Sequence, residues 1–161
     1  MDFNQAMSIL RIREGGYSDD PQDPGGETMD GITARLARSY GYQGAMKDIP
    51  ATLVSHIAWQ EFWVKAHCDD APDAVRYDLF DMAFNSGFVE AVKVLQQAIG
   101  TIPADGDFGP ITKAAASKMD GQLLSKRFNA LRILFDMKTS NWLHDAEGWL
   151  NRITSNMLLQ P

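Results

Sequence analysis

Glu14 lies four residues after Leu10 and seven after Met7, so at helical spacing it continues an apolar face rather than a solvated one. Gly15-Gly16 follows at once and is expected to stop the helix, which puts Glu14 in its last turn. There the negative end of the helix dipole disfavours an ionised carboxylate, and partial burial does the same. A carboxylic acid that keeps its proton near neutral pH is the group needed to protonate a leaving oxygen. The two glycines also remove side chains beside it, leaving room for a bulky substrate. Position alone leaves a second reading open, that of a helix-end glutamate that reaches water and does no chemistry. Acid-catalysed cleavage of this kind needs a second group to position water or to stabilise developing positive charge. The loop-like stretch that follows offers Asp19, Asp20, Asp23, Glu27 and Asp30.

Other chemistries find little support. The acidic loop lacks the spacing of a calcium-binding EF-hand, because Pro21 and Pro24 fall where a ligand and the turn glycine belong. His67, Cys68, Asp69 and Asp70 are contiguous, and adjacent residues seldom converge on one ion, so they read as a helix end and loop. His56 and His144 are isolated. No serine or cysteine motif supports nucleophilic catalysis, and there is no phosphate-binding or dinucleotide fingerprint. No metal and no cofactor is expected.

The elements that must hold Glu14 follow from periodicity and from turn residues. Asp2 can cap a first helix over residues 2–13, in which Phe3, Met7 and Leu10 share a face. Residues 17–33 are rich in Asp, Pro and Gly, which predicts turns and a short hairpin; in a chain this small such a stretch is more often a working surface than filler. Helices are expected from Thr33 to near Gly41, from Pro50 to about Ala66, from Pro72-Asp73 to Gly87 and over 89–99. A loop at 101–109 precedes Pro110, which suits a helix start, and helices over 122–138 and 146–158 close the chain. Trp59, Phe62 and Trp63 read as core at this spacing, whereas Tyr17, next to Glu14, reads as a groove residue. With 161 residues the chain is expected to form one all-α domain, 1–161, with a small β-hairpin or loop insertion after the first helix.

Composition narrows the function classes. The chain is 45% hydrophobic with 16 aromatic residues, which excludes disorder and low complexity. A net charge of −6 is a poor match to non-specific nucleic-acid binding. The charge is uneven, with 8 bases against 15 acids in residues 1–100 and 7 against 6 beyond. The mildly basic stretch from Lys113 to Lys138 reads as a solvated helix face. One cysteine, Cys68, excludes an intramolecular disulfide. No apolar run reaches membrane-spanning length, and Arg11 and Arg13 interrupt any leader-like segment, so stable membrane insertion is not expected and synthesis in the cytoplasm without a signal peptide is.

Glu-Gly-Gly-Tyr at 14–17, D-D-P-Q-D-P-G-G-E-T at 19–28 and G-I-T at 31–33 resemble glycoside hydrolase family 108, small helical N-acetylmuramidases of phage lysis cassettes and bacterial secretion loci. The resemblance continues through L-F-D-M-A-F-N-S-G at 79–87, L-Q-Q-A-I-G at 95–100, D-G-D-F-G-P-I-T at 105–112 and G-W-L-N-R at 148–152. It implies a lysozyme-like helical fold, with residues 1–88 as the catalytic part. Residues 89–161 would then be a helical C-terminal part resembling a peptidoglycan-binding domain, packed into the same unit. By this resemblance Glu14 is the general acid acting on a β-1,4 bond of peptidoglycan. Phage-type lysozymes likewise place a glutamate at the end of a first helix, followed by an aspartate and then a threonine. Eight residues separate Glu14 from Asp23, as in those enzymes, and four separate Asp23 from Thr28, one fewer than in them. This similarity points to Asp23 as the water-positioning partner and to Thr28 as a third member.

Tyr17, Asp30, Thr33 and Asn85 are the expected substrate-binding residues, Asn85 through an amide that could hold an N-acetyl group. This chain departs from the family pattern at Met29 and Asp30, with an acid where an aromatic usually stands. The expected substrate is the glycan strand of peptidoglycan and the expected state a monomer. A holin or a secretion system would deliver it to the periplasm or wall, in the manner of a phage endolysin or of a secretion-associated muramidase. A lytic transglycosylase and a catalytically silent peptidoglycan-binding protein are the alternatives.

Overall fold

The computed structural model describes residues 1–19 and 26–159. They form two compact units, one of Asp2–Glu61 and the other of Phe62–Pro161 together with Met1.

The first unit is built around its opening helix, α1 (Phe3–Glu14). Asp2 accepts from the Gln5 amide at 2.9 Å, and the Gln5 side chain accepts from the Asp2 amide at 2.9 Å, so two otherwise orphaned donors are satisfied. Gly15 ends the helix in the left-handed conformation, with φ 75°. Ala6, Met7 and Leu10 form its buried stripe. The chain then makes an antiparallel sheet of three two-residue strands: β1 (Tyr17–Ser18), β2 (Thr28–Met29) and β3 (Ile32–Thr33). Tyr17 pairs with Met29 and Ser18 with Thr28, while Thr28 pairs with Thr33 and Met29 with Ile32. Asp30 and Gly31 are the two central residues of the β2–β3 turn, with φ 46° and 76°. Positive φ at both places is the type I′ hairpin signature, for which Asp-Gly is among the favoured pairs. Thr33 caps α2 (Ala34–Ser39) by accepting from the Leu36 amide at 3.2 Å. After a 3-10 turn at Met46–Asp48, Pro50 opens α3 (Ala51–Ala58), which continues as π-helical turns over Trp59–Val64.

Among its described residues the second unit has helices, turns and loops but no strand. It comprises α4 (Asp73–Ser86), α5 (Phe88–Ile99), α6 (Pro110–Ala116), α7 (Gly121–Asp136) and α8 (Trp142–Leu158). Helix α4 packs on α5 and α7, and α7 also packs on α5 and α8. Helix α4 is buried over nearly its whole circumference, by α5, α7 and α8 that follow it and by Phe62 and Trp63 that precede it, so it falls with the helices after Glu61. The last helix begins at Trp142, four residues before the position periodicity suggests.

The D-G-D-F-G run is held from inside by Gln96, which is 1% exposed. Its Nε2 donates to Asp105 Oδ1 at 2.7 Å and to the Asp107 carbonyl at 2.9 Å, and its Oε1 accepts from the Gly106 amide at 2.9 Å. Phe108 stacks on His67 with ring centroids 5.2 Å apart. This run serves to fix a loop. No helix among the described residues is long and apolar enough to cross a membrane.

Candidate active site

Glu14 is the last residue of α1 and is half-buried. Gly15 and Gly16, at φ 75° and 86°, carry the chain away from it into β1, and a β-carbon added to either would meet nothing within 4 Å. The carboxyl group therefore stands at the end of a rigid helix, beside backbone that presents no side chain to an approaching substrate. Rigid support of this kind is what an acid catalyst requires, because proton transfer needs a fixed donor geometry.

The β2–β3 turn is fastened to this helix end twice. The Asp30 amide donates to the Gly16 carbonyl at 3.0 Å, and the Asp30 carboxylate lies 3.4 Å from Arg11 Nε. Arg11 is itself braced, its Nη2 donating to the Ala51 carbonyl at 2.8 Å and to Ser55 Oγ at 2.9 Å. Asp30 thus ties the hairpin turn to both sides of Glu14, to Gly16 two residues after it and to Arg11 three residues before it. In the sequence Arg11 reads only as an interruption of an apolar run; its place on the face beside Asp30 depends on a hairpin that comes nineteen residues later.

Tyr17 is 45% exposed on β1, and its hydroxyl donates to Glu27 Oε1 at 3.0 Å. That hydrogen bond to a carboxylate is the main reason the phenol is pushed above its ordinary pKa. Thr28 sits half-buried in the central strand, paired with both neighbours. Thr33 spends its hydroxyl oxygen on capping α2. Helix end and sheet so bring Glu14, Tyr17, Thr28, Asp30 and Thr33 into one small substructure. Asp23, with Asp20, lies outside the described residues. Asn85 belongs to the second unit, at the end of α4, where both ends of its amide are engaged. Its Nδ2 donates to the Asp81 carbonyl at 2.6 Å, and its Oδ1 accepts from Arg152. Among the described residues no group of three or more His, Cys, Asp and Glu side chains is placed to hold a metal ion.

The family model of glycosyl hydrolase 108 matches residues 7–87, half of the chain, from the middle of α1 through the end of α4. The chain belongs to glycosyl hydrolase family 108. The match takes in Glu14, the whole β-sheet and Asn85. The likeness in three dimensions reaches further. The structure of SagA from Brucella abortus is similar with a TM-score of 0.88 and 31% sequence identity, over 96% of this chain and 91% of that one. The helices beyond residue 87 of this family 108 chain therefore belong to the shared fold and not to an unrelated appendage, and the lysozyme-like helical architecture with its small sheet holds across both units. No curated protein matches the chain in sequence. Membership of the family makes it a glycoside hydrolase.

Proposed function

We propose that this glycoside hydrolase cleaves peptidoglycan at the β-1,4 bond between N-acetylmuramic acid and N-acetylglucosamine, with Glu14 as its general acid. The observation that carries the reading is the placement of Glu14: a half-buried carboxyl at a capped helix end, beside two glycines with open space, with a hairpin turn fastened to the same helix end. Glu14 gives its proton to the glycosidic oxygen as the bond from the sugar C1 breaks. Water supplies the hydroxyl that completes C1, and its proton goes to a carboxylate, so that one bond is cut and one water consumed. Asp23 is assigned to position that water and Thr28 to assist, on the spacing that phage-type lysozymes share. Tyr17, exposed and held by Glu27, offers a ring to the sugar.

Such an enzyme is made in the cytoplasm and reaches the wall by release through a holin, as an endolysin, or by a dedicated export route. Its acidic balance gives it no electrostatic steering towards an anionic wall. The test is digestion of purified sacculi by wild type and by Glu14→Gln, with products read by mass spectrometry. Reducing muramic ends from wild type and none from the variant are expected. Anhydro ends would make the enzyme a lytic transglycosylase, and binding without soluble product would make it a silent wall-binding protein.

A further inference from the structure

The second unit holds a pocket with Asn85 in its wall, and the cleavage chemistry above assigns no role to the rest of its lining. It has a volume of about 330 Å³, within the range of small-ligand sites, and lies among the ends of α4, α7 and α8. Phe135 and Trp149 supply its apolar wall, and Arg132, Arg152 and Asp136 its charges. Asp136 is the unusual member. It is 7% exposed, it lines the pocket, and among the described residues its carboxylate accepts no hydrogen bond. A carboxylate buried to that degree is normally paired or hydrogen-bonded.

The neighbouring charges are accounted for differently. Arg132, 3% exposed, donates to Asp81 Oδ2 at 2.7 Å. Arg152 binds Asn85 and lies 3.8 Å from Asp81 Oδ1. Asp136 therefore faces the pocket beside two guanidiniums that are anchored elsewhere. A ligand bearing only positive charge would satisfy Asp136 but meet both arginines. A ligand bearing only negative charge would meet Asp136. A group with both signs close together satisfies the whole lining.

We propose that this pocket binds an α-amino carboxylate head group, its ammonium on Asp136, its carboxylate towards Arg152 and its carbon chain between Phe135 and Trp149. That chemistry occurs on a free amino acid and on the side-chain end of a diamino acid in an uncrosslinked peptidoglycan stem. The second source rests on the peptidoglycan reading above; the first does not.

Calorimetric titration of the full chain with free meso-diaminopimelic acid tests the core of the proposal, with its N,N′-diacetylated form, in which both ammonium groups are blocked, and N-acetylglucosamine as comparisons. Saturable binding in the millimolar range or tighter is expected for the free diamino acid, weakened at least about tenfold in Asp136→Asn and by N-acetylation of the ligand. The acetylated ligand is tested on wild type, so the result stands even if the variant folds poorly. Absence of saturation, equal binding of the acetylated form, or preference for N-acetylglucosamine would overturn it. A muropeptide with a free diaminopimelate end, titrated into Glu14→Gln, then separates the sources: binding tighter than the free amino acid assigns the pocket to the stem, and no binding assigns it to free amino acids. Cleavage of sacculi is measured separately, so failure of the hydrolase reading with binding intact, or the reverse, is told apart.

Discussion

The two units use carboxylates in opposite ways. In the first unit Glu14 is half-buried at a helix end, and Tyr17, Glu27 and Asp30 stand around a small sheet whose first strand is exposed. In the second unit Asp78 and Asp81 are both fully buried on α4 and enclosed by partners. Asp78 accepts from Ser125 and Asn129 at 3.0 Å each, and Asp81 accepts from Arg132 at 2.7 Å and from Asn156 at 3.1 Å. A carboxylate that must meet a substrate is placed where the backbone leaves space. One that organises helices is placed where every approach is filled. The contrast also separates the expected consequences of substitution, activity in one unit and stability in the other.

The sharpest way to break this contrast is Glu14→Gln. Loss of a general acid removes about 10² to 10⁴ in rate, so sacculus digestion should fall by that factor while the melting temperature stays nearly unchanged. A large fall in melting temperature would mean that Glu14 is structural after all. Next in size is Asp81→Ala, which leaves Arg132 buried without its partner. Breaking a buried pair from one side costs about 3–5 kcal/mol, to be read as a lower denaturant midpoint. An unchanged midpoint would show that the α4 cluster does not organise the unit.

The third prediction concerns pH. Burial raises Asp78 to about 6, against the opposing hydrogen bonds from Ser125 and Asn129. The folded state therefore holds a proton that the unfolded chain has already released between about pH 4 and pH 6. This group's contribution to stability is full below about pH 4 and is lost as pH rises through 6, a difference of about 3 kcal/mol. Burial shifts Asp136 upward too, so it acts in the same direction. Urea unfolding at stepped pH should show the decline, and Asp78→Asn should flatten it. The smallest effect expected is that of Asp30→Asn. Asn-Gly keeps the hairpin turn, and the partly exposed pair with Arg11 is worth less than about 1 kcal/mol. Digestion that falls severalfold with stability unchanged would promote Asp30 from a fastening to a substrate contact.

Much of the fold was legible because its punctuation is local. Asp2, Thr33 and Pro110 start helices where the sequence says they should, and Gly15, Gly87 and Gly100 lie where helices stop. Glu14 was legible for the same reason, since helix spacing and two glycines are all that its position requires. The start of α8 was not: Asn141 makes no side-chain cap, so nothing in the stretch from Thr139 announces a helix. The π-helical turns at Trp59–Val64 have no residue signature either. Of the buried acids, Asp81 was legible only within the 79–87 motif and Asp78 not at all, because their partners lie far along the chain. Arg132 is 51 residues from Asp81, and Asn156 is 75. Arg152, likewise, meets Asn85 from 67 residues away.

That separation bears on the route by which the second unit folds. Asp78 and Asp81 of α4 take their partners from α7 and α8, so docking those helices without Ser125, Asn129, Arg132 and Asn156 in place would strip water from two acids with nothing to replace it. The compensation comes from α7 and α8, later in the chain. Half-assembled forms are thereby raised in energy, and α4, α7 and α8 are expected to close in a single concerted step.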